Sequence, residues 1–227
     1  MVFTGPAFAG VHARRIPTFH MGPQPTLKIA EMYELMDIKP ILGREIGRGT
    51  KKICYLHRSL SDRCLKVCDK KNFKFLDREV GYQQFLKDKG RTATFMPQIF
   101  GTFSTETQVG VIEECFIDRA HGGTFDEVHF LADLLYEGHP KFHQVISMLK
   151  DLKEEMVKKN IILNDLHGRN LLVVKKADVE KIVVIDGYGT TEAIPFPKYF
   201  KFFGRLKIQR QWDKFVLRHP LIGKYCP

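Results

Sequence analysis

Apolar and polar positions alternate along two early stretches of the chain. The segment "ILGREIGRGTKKICYLH" reads as strand, glycine turn, strand. In "RCLKVCD" the side chains of Cys64, Lys66 and Cys68 share one face, and Leu65 and Val67 share the other. Short connections make these three strands antiparallel neighbours. "KFLDREVGYQQFLKDKG" carries apolar Phe75, Leu76, Val80, Tyr82 and Phe85 between charges and stops at Gly90, a helix with its stop signal. "MPQIFGTFSTETQVGVIEECF" returns to strand chemistry and predicts a hairpin turning near Thr105 to Thr107. A short helix is expected before all of these, near Leu27 to Met36. From His139 the period changes: Phe142, Val145, Met148, Leu149, Leu152 and Met156 recur at intervals of three and four, a long amphipathic helix ending near Asn160. Two runs rich in Ile, Leu and Val follow, and each reads as a buried strand ending beside an acid, Asp165 and Asp186. A basic, aromatic-rich tail from Lys198 to Lys224 closes the pattern, helical around Gln209 to Arg218, and there is no internal repeat.

Composition narrows the setting. With 227 residues, 44% of them hydrophobic, the chain can bury a substantial core as one domain or two small lobes. A formal net charge of +10 favours polyanionic company such as nucleotides, nucleic acid or acidic headgroups. The five cysteines, at positions 54, 64, 68, 115 and 226, form no CxxC pair and read as compact core side chains in a reducing, cytoplasmic setting. No apolar run approaches the ~18 to 20 residues that span a bilayer, so no transmembrane segment is expected. The first 25 residues hold Arg14 and Arg15 and no acid, but they are punctuated by Pro and Gly, so residues 1–38 are expected to form a partly disordered arm.

The acids at the strand mouths raise a chemical question. Transfer of a terminal phosphoryl group needs a cradle for phosphates, a cation on them, oxygen ligands for Mg²⁺ and a carboxylate beside the attacking hydroxyl. Gly47 and Gly49 in "IGRGT" let the backbone approach phosphate. Lys66 can supply the cation, with Glu79 of the inserted helix expected to pair with it. Asp165 can orient a hydroxyl, while Asn170 and Asp186 offer hard oxygen ligands to Mg²⁺. Singly, each has a plainer use: Lys66 as a solvent-facing edge lysine, Asp165 and Asn170 as turn caps, Asp186 and Gly187 as a hairpin corner. Their order along the chain favours the chemical reading.

In that order the sequence resembles the protein-kinase-like fold. "GRGT" corresponds to the glycine-rich loop, "RCLK" to the lysine-bearing third strand, "REV" to the glutamate of the inserted helix, "DLHGRN" to the catalytic loop and "DGYG" to the Mg²⁺-binding Asp-Phe-Gly site. "DLHGRN" is similar to the loop of aminoglycoside and choline kinases. Together "CLKVCDK", "REVGYQQFL" and "RQWDKFVLRHPL" resemble the YrbL family, the PhoP regulatory network proteins, over roughly residues 40 to 222. The resemblance implies an α+β, two-lobed protein-kinase-like fold with a minimal C-terminal lobe: a sheet-rich small lobe over 39–117 and a mainly helical lobe over 118–227. It also implies an adenine pocket with Cys54 and Cys64 above the base, Leu172 below it, and backbone groups of Glu113 and Cys115 along its edge.

The departures redirect the substrate. Leu163 and Asn164 stand in place of the usual His and Arg, Lys52 in place of the third Gly, and Gly187 in place of the Phe. No activation-loop switch is expected, and the short stretch after Asp186 leaves too little chain for helices that dock peptides. The expected function is therefore an ATP- and Mg²⁺-dependent phosphotransferase acting on a small-molecule, lipid or carbohydrate hydroxyl. A nucleotide-binding pseudokinase serving as a regulatory scaffold is the alternative. A third reading makes the basic tail, with its interleaved aromatics, a contact for nucleic acid or an anionic membrane surface; against it stands a helix that packs its aromatic side inward and shows lysines to water.

Overall fold

The computed structural model describes residues 34–35, 37–189 and 196–226. The expected N-terminal arm and most of the helix expected near Leu27 lie outside these residues. Where that helix was expected to finish, the chain instead forms a short strand, β1 (Glu34–Leu35), which pairs in parallel with β5 (Ile99–Ser104). The sheet thus begins earlier than residue 39.

The fold is α+β. Six strands order as β1-β5-β6-β4-β3-β2, with β2 (Leu42–Arg48), β3 (Ile53–His57), β4 (Arg63–Asp69) and β6 (Gln108–Glu114) all antiparallel to their neighbours. The alternation in "RCLKVCD" holds. Cys68 on one face packs with Leu76 and Val80 of helix α1 (Phe73–Asp88), while Leu65 and Val67 on the other join Ile38 and Phe103. The helix therefore covers one face of the sheet, and Glu79 enters the interior from it.

A second, three-stranded antiparallel sheet follows, β7 (Glu127–Phe130), β8 (Leu171–Lys176) and β9 (Val179–Val184). Between β7 and β8 lie the short α2 (Leu131–Leu134) and the long α3 (Phe142–Lys159). Asn160 caps α3 in the left-handed conformation, φ 53°, at the stop the sequence predicts. The first of the two apolar runs is not a strand: Ile161, Ile162 and Leu163 are buried, and only Leu163 makes an isolated bridge, to Tyr188. The second is β9, and Asp186 lies just beyond it.

The tail forms α4 (Phe196–Tyr199), α5 (Lys201–Arg218) and α6 (Pro220–Tyr225). Ile208, Trp212 and Phe215 of α5 enter the main core beside α3, and the Trp212 indole N–H donates to the Cys226 carbonyl at 3.2 Å. The tail helix starts earlier than the expected Gln209, and its aromatic residues do not all turn inward: Phe202 and Phe203 are exposed. No helix among the described residues is long and apolar enough to cross a membrane.

Candidate functional site

A cleft of about 1010 Å³ opens between the two sheets. Gly47, Gly49, Cys54, Cys64, Lys66, Glu79, Glu113, Cys115, Asp165, Asn170, Leu172 and Asp186 all line it, so the structure brings every sequence-predicted site residue to one place. The roof is the β2–β3 hairpin, whose turn is closed by the Gly49 N–H donating to the Lys52 carbonyl at 2.9 Å. The floor is β8, with Leu172, and the segment that carries Asp186.

The pairing of charges differs from the sequence expectation. Glu79 does not meet Lys66; its Oε2 lies 2.6 Å from Lys52 Nζ, and the same ammonium lies 2.8 Å from Asp186 Oδ1. Lys66 turns instead to Glu113, whose Oε1 is 2.6 Å away, and it also donates to the Ile185 carbonyl. The cause is register. Cys54 stands opposite Lys66 across β3 and β4, and Lys52, two residues before Cys54, emerges on the same face of the sheet. Two ammonium groups then share one interior. The one nearer the hairpin mouth reaches Glu79 and Asp186, and the one deeper in the sheet reaches Glu113, which projects from the same face of β6.

Electrostatics follow from these contacts. Burial works against the charge on Lys66, but the carboxylates of Glu113, Glu79 and Asp186 outweigh it and hold the ammonium well above the ordinary lysine range. Lys52 is raised in the same way, against burial, by Glu79 and Asp186. Burial pushes the Glu79 carboxyl up despite the two lysines. Asp186 resists burial and is held below the usual carboxylate range by Lys52, Lys66 and the Gly187 N–H. Asp186 is therefore an anion at neutral pH. A hydrogen bond with Cys64 and then burial push the Cys54 thiol well above its ordinary value; a hydrogen bond with Cys115 and then burial do the same for Cys64, so both act here as neutral walls.

The Asp165 loop is joined to the Asp186 turn through backbone bonds. Asn164 N–H donates to the Gly187 carbonyl at 2.7 Å, and Ile185 N–H to the Asn170 carbonyl at 2.9 Å. Gly187 has φ +90°, and a Cβ there would sit 2.8 Å from the Asp165 carbonyl oxygen. The position that reads in sequence as a lost Phe is thus a glycine because the two segments touch and the chain turns left-handed. The Asn170 amide nitrogen donates to the Asp165 carbonyl at 2.9 Å and to its Oδ2 at 3.3 Å, which leaves Oδ1 as the end able to meet a cation. Asp165 is exposed toward the cleft, with His167 Nε2 3.5 Å from its Oδ2. Behind the loop, the Tyr82 hydroxyl of α1 accepts the Ile162 N–H at 2.8 Å, so the helix that carries Glu79 also braces the segment that carries Asp165.

An anionic Asp186 and the Asn170 carbonyl oxygen suit a hard cation such as Mg²⁺. Among the described residues no group of three or more His, Cys, Asp and Glu side chains could hold a metal by itself. Two protein oxygens fit an ion whose remaining ligands are phosphate oxygens and water.

Residues 43–220 match the model of the family described as PhoP regulatory network protein YrbL. Two relatives, each called uncharacterized protein YrbL, come from Escherichia coli K12 and Shigella flexneri. Each is 25% identical to this chain over 180 residues, which cover 78% of this chain and 85% of the relative.

Proposed function

We propose, from the premise that this chain belongs to the family of the PhoP regulatory network protein YrbL, that it is an ATP- and Mg²⁺-dependent phosphotransferase of protein-kinase-like, two-lobed architecture. Its acceptor is the hydroxyl of a small molecule, lipid or carbohydrate. On this reading residues 39–117, extended by β1, cover the nucleotide, and residues 118–227 carry the catalytic loop.

The observation that supports it most is the placement of Lys52 between Glu79 and Asp186, in the same cleft as Asp165 and Asn170. A cation held by two carboxylates at the mouth of a glycine turn is positioned for anionic phosphate, and exchanging Asp186 for phosphate leaves Glu79 to keep it oriented. Lys52 then takes the role the sequence suggests for Lys66. The ammonium of Lys66, bonded to Glu113 and the Ile185 carbonyl, holds the β-sheet against the residue before Asp186. Asp186 and the Asn170 Oδ1 are the groups that would hold Mg²⁺, which supplies charge neutralisation on the phosphate oxygens. Asp165, exposed and steadied by Asn170, orients the acceptor hydroxyl and takes its proton. Cys54, Cys64 and Leu172 provide apolar walls for a flat heteroaromatic base.

The test is direct. Saturating MgATP raises the Tm of the wild type, since a ligand at 100-fold its Kd adds about 2.7 kcal/mol to the native state. Lys52→Ala and Asp186→Ala abolish the shift, and labelled phosphate passes from ATP to a metabolite extract only with the wild type. An unshifted wild-type Tm at saturating MgATP sinks the nucleotide claim. A shift without any transfer or hydrolysis leaves the scaffold alternative in its place.

A further inference from the structure

Helix α5 divides near Gly204. Beyond it Ile208, Trp212 and Phe215 are fully buried; before it the aromatic side chains face outward. Phe196, Tyr199, Phe200, Phe202, Phe203 and Leu206 are between 47% and 68% exposed, and they make up half of the large apolar side chains exposed among the described residues. The four phenylalanines are contiguous: ring centroids lie 6.1 Å apart for Phe196 and Phe200, 6.0 Å for Phe196 and Phe203, and 5.5 Å for Phe202 and Phe203. The seat of this cluster is fixed. Asn160 Nδ2 at the end of α3 donates to the Pro197 carbonyl at 3.0 Å, and Gly204 lets α5 lie directly against the Asn160 side chain.

Cations adjoin the cluster in sequence. Lys201 and Arg205, one turn apart on α5, are exposed. No Asp or Glu occurs from Phe196 to Trp212. An apolar dome with a cationic rim is the surface chemistry of a protein that lies on an anionic bilayer.

We propose that α4 and the first turns of α5 dock this protein onto a bilayer rich in anionic phospholipid. The phenylalanines enter the boundary between headgroups and acyl chains, and Lys201 and Arg205 meet the lipid phosphates. Two observations set this occupant above the others. The rings pack against one another at interplanar angles of 52°, 32° and 78°, a closed apolar dome rather than the separate parallel platforms on which successive bases stack. A symmetric contact with a second copy would bring Lys201 and Arg205 against their own equivalents on a chain of net charge +10. The inference does not rest on the phosphotransferase reading.

Co-sedimentation of the full chain with vesicles tests it. The wild type sediments with vesicles of phosphatidylcholine mixed with phosphatidylglycerol and stays in solution with phosphatidylcholine alone. Lys201→Gln with Arg205→Gln lowers the affinity roughly 30-fold, the worth of two basic residues near an anionic leaflet. Phe202→Ser with Phe203→Ser lowers it at least about tenfold through lost apolar insertion. Emission from Trp212, buried elsewhere on α5, stays unchanged in both variants and shows that they remain folded; the charge variant stands as independent evidence if the Phe variant does not fold. Vesicle binding that survives both pairs, equal binding to neutral vesicles, or no vesicle binding at all overturns the proposal. So does binding through Phe202 and Phe203 to a single-stranded oligonucleotide or a second copy in place of vesicles.

Discussion

Lys52 and Lys66 leave the same face of one sheet, and the carboxylates they meet give them different work. Lys66 and Glu113 are buried together, so removing one partner strands the other's charge in the interior. Lys66→Met is expected to cost about 3 to 5 kcal/mol in urea unfolding, whereas Lys66→Met with Glu113→Leu recovers most of that loss. Equal destabilisation by the single and double variants would show that the pair is not the unit. The sequence placed Lys66 on the right strand and face but could not show which carboxylate its ammonium reaches, because Glu79 and Glu113 arrive from elements distant in sequence. The alternation from Lys52 to Cys54 did carry a signal for Lys52, since it puts both lysines on one face; the expectation of a third glycine at that position hid it. Gly187 is similar. A side chain missing from a motif reads as a loss, and only the left-handed φ and the nearness of the Asp165 carbonyl show why glycine stands there.

Among the elements, those with a strong period were legible and those that depend on a neighbour were not. β4, α1, the β5–β6 hairpin and α3 follow from alternation or from spacing of three and four, with Gly90 and Asn160 as stops. β7 was not read, because four residues with exposed His129 and Phe130 make a strand only by pairing with β8. In the tail, Phe202 and Phe215 belong to one helix of the same composition, and only the packing of α3 decides which is buried. The second sheet is also tied to the start of α3 by charge: Glu127 of β7 pairs with Lys141 at 2.5 Å and with Lys175 at 3.3 Å. Hydrogen bonds from Lys141 and then Lys175 lower its carboxyl from 4.5 to about 2. A depressed carboxyl contributes stability that is present above its unfolded pKa and lost as pH falls through the folded one. Wild-type stability therefore drops between pH 4.5 and about 2 by an amount absent from Glu127→Gln. Because Glu127 is more than a third exposed, solvent screening keeps that amount small. Matching acid limbs for the two proteins in a urea series would remove this tie from the account.

As a whole, the molecule sets a mixed sheet over a smaller one and leaves a cleft between them, with α1 reaching both sides: Glu79 toward Lys52, and Tyr82 toward the segment before Asp165. That double reach couples the cation at the cleft mouth to the carboxylate at its floor. Membership of the YrbL family fixes ancestry without naming a reaction, so the claim of phosphoryl transfer stands on the geometry and on its test. Asp165→Asn decides it most directly, because the change keeps shape and hydrogen bonding while removing the carboxylate proposed to meet the acceptor. With labelled ATP, Mg²⁺ and a metabolite extract, the account predicts nucleotide affinity equal to wild type and turnover lower by roughly 100-fold or more. Turnover that persists unchanged in Asp165→Asn, or a wild type that binds nucleotide yet shows no Asp165-dependent turnover with any acceptor tried, would contradict it.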